Sequence, residues 1–360
     1  MSISTIKDVA RKAGVSAATV SFIVNNRYPT RIPESTRRRV QAAVKHLGYR
    51  PNRLARGLAS GRTQTIGILY DGSTSLLMSD RFSVRLFSGV LETCSAAGWR
   101  TLVVSLDDHA RPRESPFSRG EVDGIMYLAA KSPSISRRLS AEESPMVLLN
   151  PDFVPPRESP AVLIDDRAAV ENLVEHLHGL GHRHFVYVSG FLAAYQISPR
   201  SFKQRHAAYE RTLKAKGLHA YPAEIFHFST LESSARVIEQ AATLWKRILA
   251  ARPRATAVIC ANDLIAQAMW IAARQIRIAI PQRFSLAGID DILQEVWQES
   301  VLTSVRIPAD EMGARAVELL SSLINGNSVS LRQTVVAGHL VIRGTSGPPT
   351  TGSKRSHRNG

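Results

Sequence analysis

Apolar positions open the chain with a helical period: Ile6, Val9, Ala10 and Ala13 share one face, and Thr5 precedes them as an N-cap. Gly14 falls where a turn between two helices needs a left-handed backbone, and Val15 plugs the angle between them. Ser16 then caps a second helix, from Ala17 to about Val24, with Val20 and Ile23 facing inward. Ala17, Ala18, Ser21 and Phe22 are left on its outer face. This is the pattern of a helix-turn-helix, although a helical hairpin in an ordinary core has the same periodicity. In IPESTRRRVQAAVKHLGY, Pro33 presets a turn, Ser35 or Thr36 caps, and Val40, Ala43, Val44 and Leu47 line one face of a third helix that Gly48 ends. Asn52 could cap a short helix from Arg53 to Leu58, too short to persist alone. That segment reads either as a helix ordered on DNA, with Leu58 wedged into the minor groove, or as a flexible basic linker.

From residue 64 the pattern changes. β-rich runs recur at TIGILYD, RTLVVSL, DGIMYLA, MVLLN and AVLID, then at HFVYVSG, AEIFHF, TAVICAND and FSLAGID, with helical stretches between them. Such alternation predicts parallel sheets covered by helices, and two series predict two lobes with a ligand cleft at the strands' carboxyl ends. The end of the chain, GPPTTGSKRSHRNG, is polar and rich in Pro and Gly, and is expected to be disordered.

Charge separates the two regions. Residues 1–62 hold thirteen Lys and Arg against two acids, Asp8 and Glu34, and so carry most of the net +16. A basic module beside a nearly balanced remainder is the footprint of a nucleic-acid binder. A basic arm on acidic lipid would need an amphipathic stripe with Trp or Leu opposite Lys, and the first 60 residues contain no Trp. No apolar run is long enough to span a bilayer and the N-terminus lacks a signal-like apolar core, so the expected location is the cytoplasm. Cys94 and Cys260 sit in apolar helix and strand patterns and are expected to be buried thiols. No metal-ligand spacing, dinucleotide fingerprint or phosphate loop occurs, so no cofactor is expected; His182 and His184 read as bordering a strand.

Several ordered motifs then carry a resemblance: TIKDVARKAGVSAATVS, STRRRV, LGYRPNRLARGLASGRTQTIG, ANDLIAQA, SLAGIDD, LTSVRIPADEMGARAVELL and LVIRGTS. Over about residues 4–347 the chain resembles the lactose/galactose repressor family of bacterial transcription regulators. The resemblance implies an all-α helix-turn-helix headpiece (1–50) plus a hinge helix and linker (51–63), followed by an α/β two-lobed, periplasmic-binding-protein-like core (64–346). The N-lobe would take about 64–164 and 307–325, the C-lobe about 165–306 and 326–346, and 347–360 would be the tail. It further implies a homodimer on a near-palindromic double-stranded DNA operator, switched by a small-molecule effector, by default a carbohydrate.

Residue by residue, Ala17, Ala18 and Phe22 match base-reading positions, while Thr5, Ser16, Thr19, Ser21 and Asn25 fall among those that cap or touch the backbone. Phe22 stands where the family mostly has Arg; Phe offers apolar contact, for instance to a thymine methyl, in place of a bidentate grip on guanine. Arg53, Ala55 and Leu58 match the hinge helix. In the core, Arg205 and Asp290 match effector contacts, against structural ion pairing as the alternative. Asp71, Asp165 and Asn262 could line the same cleft, with Asp263 as a helix cap. Ala208 replaces a usual Gly, and the loop DGSTSLLMSDRFS departs most from the family, which leaves the ligand's identity open. Trp297, Phe228 and Phe153 could stack on a sugar ring, but aromatic residues of this kind more often belong to a core.

Two other classes stand beside this reading. A small-molecule binding protein or sensor without specific operator recognition would share the core but not the basic headpiece. An α/β enzyme would need a nucleophile, metal or cofactor constellation, and the adjacent pairs Asp165–Asp166 and Asp290–Asp291 are more readily caps and polar ligand contacts.

Overall fold

The computed structural model describes residues 4–24, 32–49, 61–71, 78, 80–106, 117, 120–131, 133–141, 144–192, 199–228, 234–292, 301–329 and 332–350. These fall into two compact units, Met1–Thr65 with Ser118–Asp123, and Ile66–Phe117 with Gly124–Gly360.

The first unit contains helices α1 (Ile6–Ala13), α2 (Ala17–Val24) and α3 (Glu34–His46). Val9, Ala10, Ala13, Val20, Ile23, Val40 and Ala43 form its core, with Val15, Val44 and Leu47 packed at the margin. Gly14 takes φ +63° and lets the chain turn sharply between α1 and α2. The start of α3 differs from the sequence reading: Pro33, at φ −54°, occupies the cap position, and Ser35 and Thr36 lie inside the first turn. The proline ring presets the entry angle and Glu34 supplies the negative charge favoured at a helix start, so no hydroxyl cap is needed. The expected hinge helix, Arg53 to Leu58, lies outside the described residues.

The second unit holds two sheets. Its elements are β1 (Thr65–Asp71), α4 (Arg81–Ala96), β2 (Arg100–Leu106), β3 (Gly124–Leu128), α5 (Pro133–Ala141), β4 (Met146–Leu149), β5 (Ala161–Ile164), α6 (Asp166–Gly179), β6 (His184–Leu192), α7 (Arg200–Ala215), β7 (His219–Ala220) and β8 (Glu224–Phe228). There follow α8 (Ser234–Ala251), β9 (Ala257–Cys260), α9 (Asp263–Gln275), β10 (Ser285–Asp290), β11 (Thr303–Arg306), α10 (Ala309–Ile324), β12 (Gln333–Val336) and β13 (His339–Val341). One sheet runs β12-β5-β4-β3-β1-β2; the other runs β13-β11-β10-β9-β6-β7, with β8 also paired to β6. The inner strands are parallel and buried along their whole length, as GIMYL, MVLL, AVLI and AVIC require: strands covered on both faces have no polar side. Cys94 and Cys260 are buried free thiols.

Two boundaries differ from expectation. β12 pairs in parallel with β5, so the chain rejoins the second lobe after Val336 and not at about 326. Residues 347–350 are held in place: Gly347 N–H donates to Ser285 Oγ at 3.0 Å and Thr350 Oγ1 donates to the Gln282 carbonyl at 2.7 Å. The carbonyl of Gly347 is bonded to buried His182, whose other ring nitrogen meets Thr256 Oγ1. Polar composition alone misses this because Gly347 through its main chain and Thr350 through its hydroxyl bond to residues far back in the sequence.

In the first lobe, α10 packs on α4 through two glycines. A Cβ on Gly89 would overlap the Asp310 main chain, and one on Gly313 would overlap the Leu86 and Val90 main chain. Arg85 bridges the same contact to Asp310 at 2.7 Å.

Candidate functional site

The helix-turn-helix and the core cluster lie in different units and are built separately. In the first unit, the Thr5 N–H and hydroxyl both donate to Asp8 Oδ2, at 3.0 and 2.7 Å, closing the start of α1. Those hydrogen bonds help hold Asp8 below the ordinary carboxylate range. Ser16 Oγ accepts the Thr19 N–H at 3.1 Å and lies 2.9 Å from the Thr19 hydroxyl, so Ser16 caps α2 as its sequence suggests. Ala18 is exposed, Ser21 is half-buried and Phe22 is 37% exposed. Ala17 departs from its expected outward position, because it packs against the three-helix core. Asn25, Arg53, Ala55 and Leu58 lie outside the described residues.

In the second unit the structure brings Arg205 and Asp290 together and adds Asp166, which the sequence offered only as one of a pair with Asp165. Arg205, on α7 and only 2% exposed, donates from Nε to Asp166 Oδ1 at 2.8 Å, from Nη1 to the Ala261 carbonyl at 2.6 Å and from Nη2 to Asp290 Oδ1 at 3.2 Å. All three partners sit at the carboxyl ends of strands β5, β9 and β10 or just beyond, where parallel α/β sheets place ligands. Burial opposes the Arg205 charge, but Asp290 and Asp166 outweigh it and hold the guanidinium more firmly protonated than usual.

The carboxylates outnumber the cation. Burial pushes Asp290 up to about 8; Arg205 opposes this, while Asp263 and Asp80 add to it. Asp290 also takes φ +114°, a backbone conformation that L side chains rarely adopt. Burial lifts Asp263 to about 6, even with the Ser304 hydroxyl donating to it at 2.6 Å. Asp166 is likewise raised by burial.

Adjacent residues have divided the work in a way the motifs do not reveal. Asp165 caps α6, accepting the Ala168 N–H at 2.9 Å, while its neighbour Asp166 enters the buried cluster. Asn262 caps α9 by accepting the Ile265 N–H at 3.0 Å, so the cap expected of Asp263 belongs to Asn262. Asp290 meets Arg205, whereas Asp291 clamps Arg306 at 2.7 Å and Arg343 at 2.8 Å. Asp71 closes β1, and its side chain is outside the described residues, as are Trp297 and the side chain of Phe228; Phe153 is half-buried.

Arg200, at the start of α7, interacts electrostatically with Asp166 of this cluster. Its N–H donates to Asp152, its Nε to the Pro151 carbonyl at 2.9 Å and its Nη1 to Gln204 Oε1 at 2.7 Å. Pro151 and Asp152 belong to the segment between β4 and β5 of the first sheet, so Arg200 ties the two lobes. Among the described residues, Asp166 Oδ2, Arg200 Nη2, Asn150 Oδ1 and Tyr187 Oη are buried without a hydrogen-bond partner. Tyr187 and Arg200 both interact with Asp166, and unsatisfied donors and acceptors brought together in this way can receive a ligand carrying both, such as one bearing hydroxyls. Arg200, Asn150 and Tyr187 had no sequence signal; Asp166 had one in its place beside Asp165. No group of three metal-ligating residues occurs among the described residues.

A family model described as bacterial regulatory proteins, lacI family, matches residues 5–52, and one described as a periplasmic binding protein-like domain matches residues 174–346. This chain is similar to the lacI family of bacterial regulatory proteins over residues 5–52. It is 28% identical over 352 residues to the HTH-type transcriptional repressor CytR of Escherichia coli K12, covering 95% of this chain and 96% of that one. It is 28% identical over 331 residues to catabolite control protein A of Priestia megaterium, covering 90% and 94%. The lac repressor dimer bound to operator and the anti-inducer ONPF has a similar fold, with a TM-score of 0.77 and 21% identity over 96% of this chain and 100% of that one. This chain is thus similar to transcriptional regulators, the repressor CytR among them. No helix among its described residues is long and apolar enough to cross a membrane.

Proposed function

We propose that the protein is a cytoplasmic, dimeric repressor whose operator binding is controlled by a hydroxylated small molecule, a sugar or sugar derivative, held at the Arg205–Asp166–Asp290 cluster. Each α2 enters a major groove, and the segment holding Arg53, Ala55 and Leu58 pairs with its copy in the central minor groove. Thr5, Ser16, Thr19, Ser21 and Asn25 fix the headpiece on the DNA backbone. The single observation that supports effector control is the Asp166 carboxylate: one oxygen is bound to Arg205, and the other is buried without a partner. Asp165 and Asn262 cap the helices that follow β5 and β9, and Asp71 ends β1.

Selection of the full chain against a randomised duplex pool at physiological salt tests the DNA half of this reading, with a near-palindrome as the expected product. The effector half requires that a ligand bind free and operator-bound protein with different affinities. Sugars are screened by the shift they cause in operator affinity; a ligand binding both forms equally would sink the control mechanism.

A further inference from the structure

His184 and His219 stand side by side, away from the Arg205 cluster. They are direct partners in the parallel pairing of β6 with β7, which puts both side chains on one face of the sheet. Their ring centres are 5.4 Å apart. His184 is half-buried, and its Nδ1 is closed off from solvent without a hydrogen-bond partner among the described residues. His219 is exposed, so its ring can turn. Tyr221 meets the His219 ring edge-on at 4.4 Å and lies 6.2 Å from that of His184, so the three rings form one cluster. The sequence gives no sign of it, because the two histidines are far apart along the chain and meet only through strand pairing.

The pair has the dimensions of a two-nitrogen metal site. Two imidazoles joined to one tetrahedral ion by nitrogen–metal bonds of about 2 Å hold their ring centres about 5 Å apart. We infer that His184 and His219 bind a divalent transition-metal ion of the zinc class, with water completing its coordination. Imidazole nitrogens select such ions over Mg²⁺ and Ca²⁺, which take oxygen ligands. Arg254 acts electrostatically on His184 and sharpens the choice. Its charge repels every cation, and only an ion that bonds strongly to imidazole offsets that repulsion. Two protein ligands make an exchangeable site, unlike the closed four-ligand sites of structural zinc. A bound ion ties the short strand β7 to the start of β6. His184 begins β6, whereas the Arg205 cluster gathers at the carboxyl ends of β5, β9 and β10, so the metal site is independent of the proposed effector.

The test titrates the full chain, without an affinity tag, with Zn²⁺ alone, at about pH 7.5, where ordinary imidazole is neutral. Calorimetry should show an ion bound, and the melting temperature should rise with Zn²⁺ concentration by mass action. Mg²⁺ should do neither. His219→Ala and His184→Gln should each weaken Zn²⁺ binding at least about tenfold, since losing a ligand costs no less than losing a group that orients one. His339→Ala, at another exposed histidine, should leave it unchanged. Absence of Zn²⁺ binding to the unaltered chain, or binding that keeps its full strength in His219→Ala, would overturn the inference. His219 is exposed, so its variant decides the matter even if His184→Gln folds poorly.

Discussion

Arg205 donates its Nε to Asp166 at 2.8 Å, with both side chains at most 2% exposed. Such a pair holds only while both members are present, because removing one strands a charge in the interior. Arg205→Ala should therefore cost about 3–5 kcal/mol of stability. Urea unfolding at pH 7 measures it; a loss below about 1 kcal/mol would mean that water reaches the cluster and screens its carboxylates.

The acid-rich cluster also sets a pH dependence. The folded protein holds the Asp290 proton up to about pH 8, whereas an unfolded aspartate releases it near 3.8. Between those values the native state binds more protons than the unfolded one, so stability falls as pH rises. Asp263, raised to about 6, acts in the same direction over a narrower range. His182 and His176, both lowered by burial, act oppositely: their contribution is present above 6.5 and is lost as pH falls below it. Asp166, also raised by burial, acts in the same direction, so the decline between 6.5 and 8 belongs to the acid cluster, with Asp290 contributing at most about 1.4 kcal/mol per pH unit. Asp290→Asn should flatten the decline there; unfolding curves at pH 6.5, 7.2 and 8 compare the two proteins.

Gly89 and Gly313 permit the close approach of α4 and α10. Gly89→Ala should destabilise by about 1–3 kcal/mol, as overpacking in a fixed interior does. Gly179→Ala is the control: nothing lies within 4 Å of its Cβ position, and removing a glycine's backbone freedom should leave stability unchanged or raise it by up to about 1 kcal/mol. Thermal unfolding of both variants checks the contrast.

Ser16→Ala should lose the hydrogen bond to the Thr19 N–H and cost about 1 kcal/mol within the three-helix unit. Amide exchange in α2 reports it directly, with Ala17–Val24 losing protection while the core sheets keep theirs.

The three-helix unit was legible almost to the residue because its signals are local. Thr5, Gly14 and Ser16 each act within one turn of their own position. The inner strands were legible too, since only buried parallel strands carry apolar runs without alternation. What the sequence hides is long-range. β12 reads as part of the second lobe until its pairing with β5 is seen, and Gly89 looks ordinary until α10 lies against it. Within the site, Arg205 and Asp290 could be named but their partner Asp166 could not, because two adjacent aspartates differ only in which one the helix start turns inward.

The pairing of β12 with β5 also bears on how the protein is made. The first sheet draws strands from residues near 65, 100, 124, 146 and 161, yet its edge strand ends only at Val336. The helix packed on α4 is likewise supplied late, by Ala309–Ile324. On the ribosome, therefore, the lobe that begins first cannot be completed first. Its sheet edge and the face of α4 wait uncovered while the whole intervening lobe is synthesised, and both lobes close within the last few dozen residues. A nascent chain stalled near residue 300 would carry a folded three-helix unit followed by two unfinished lobes.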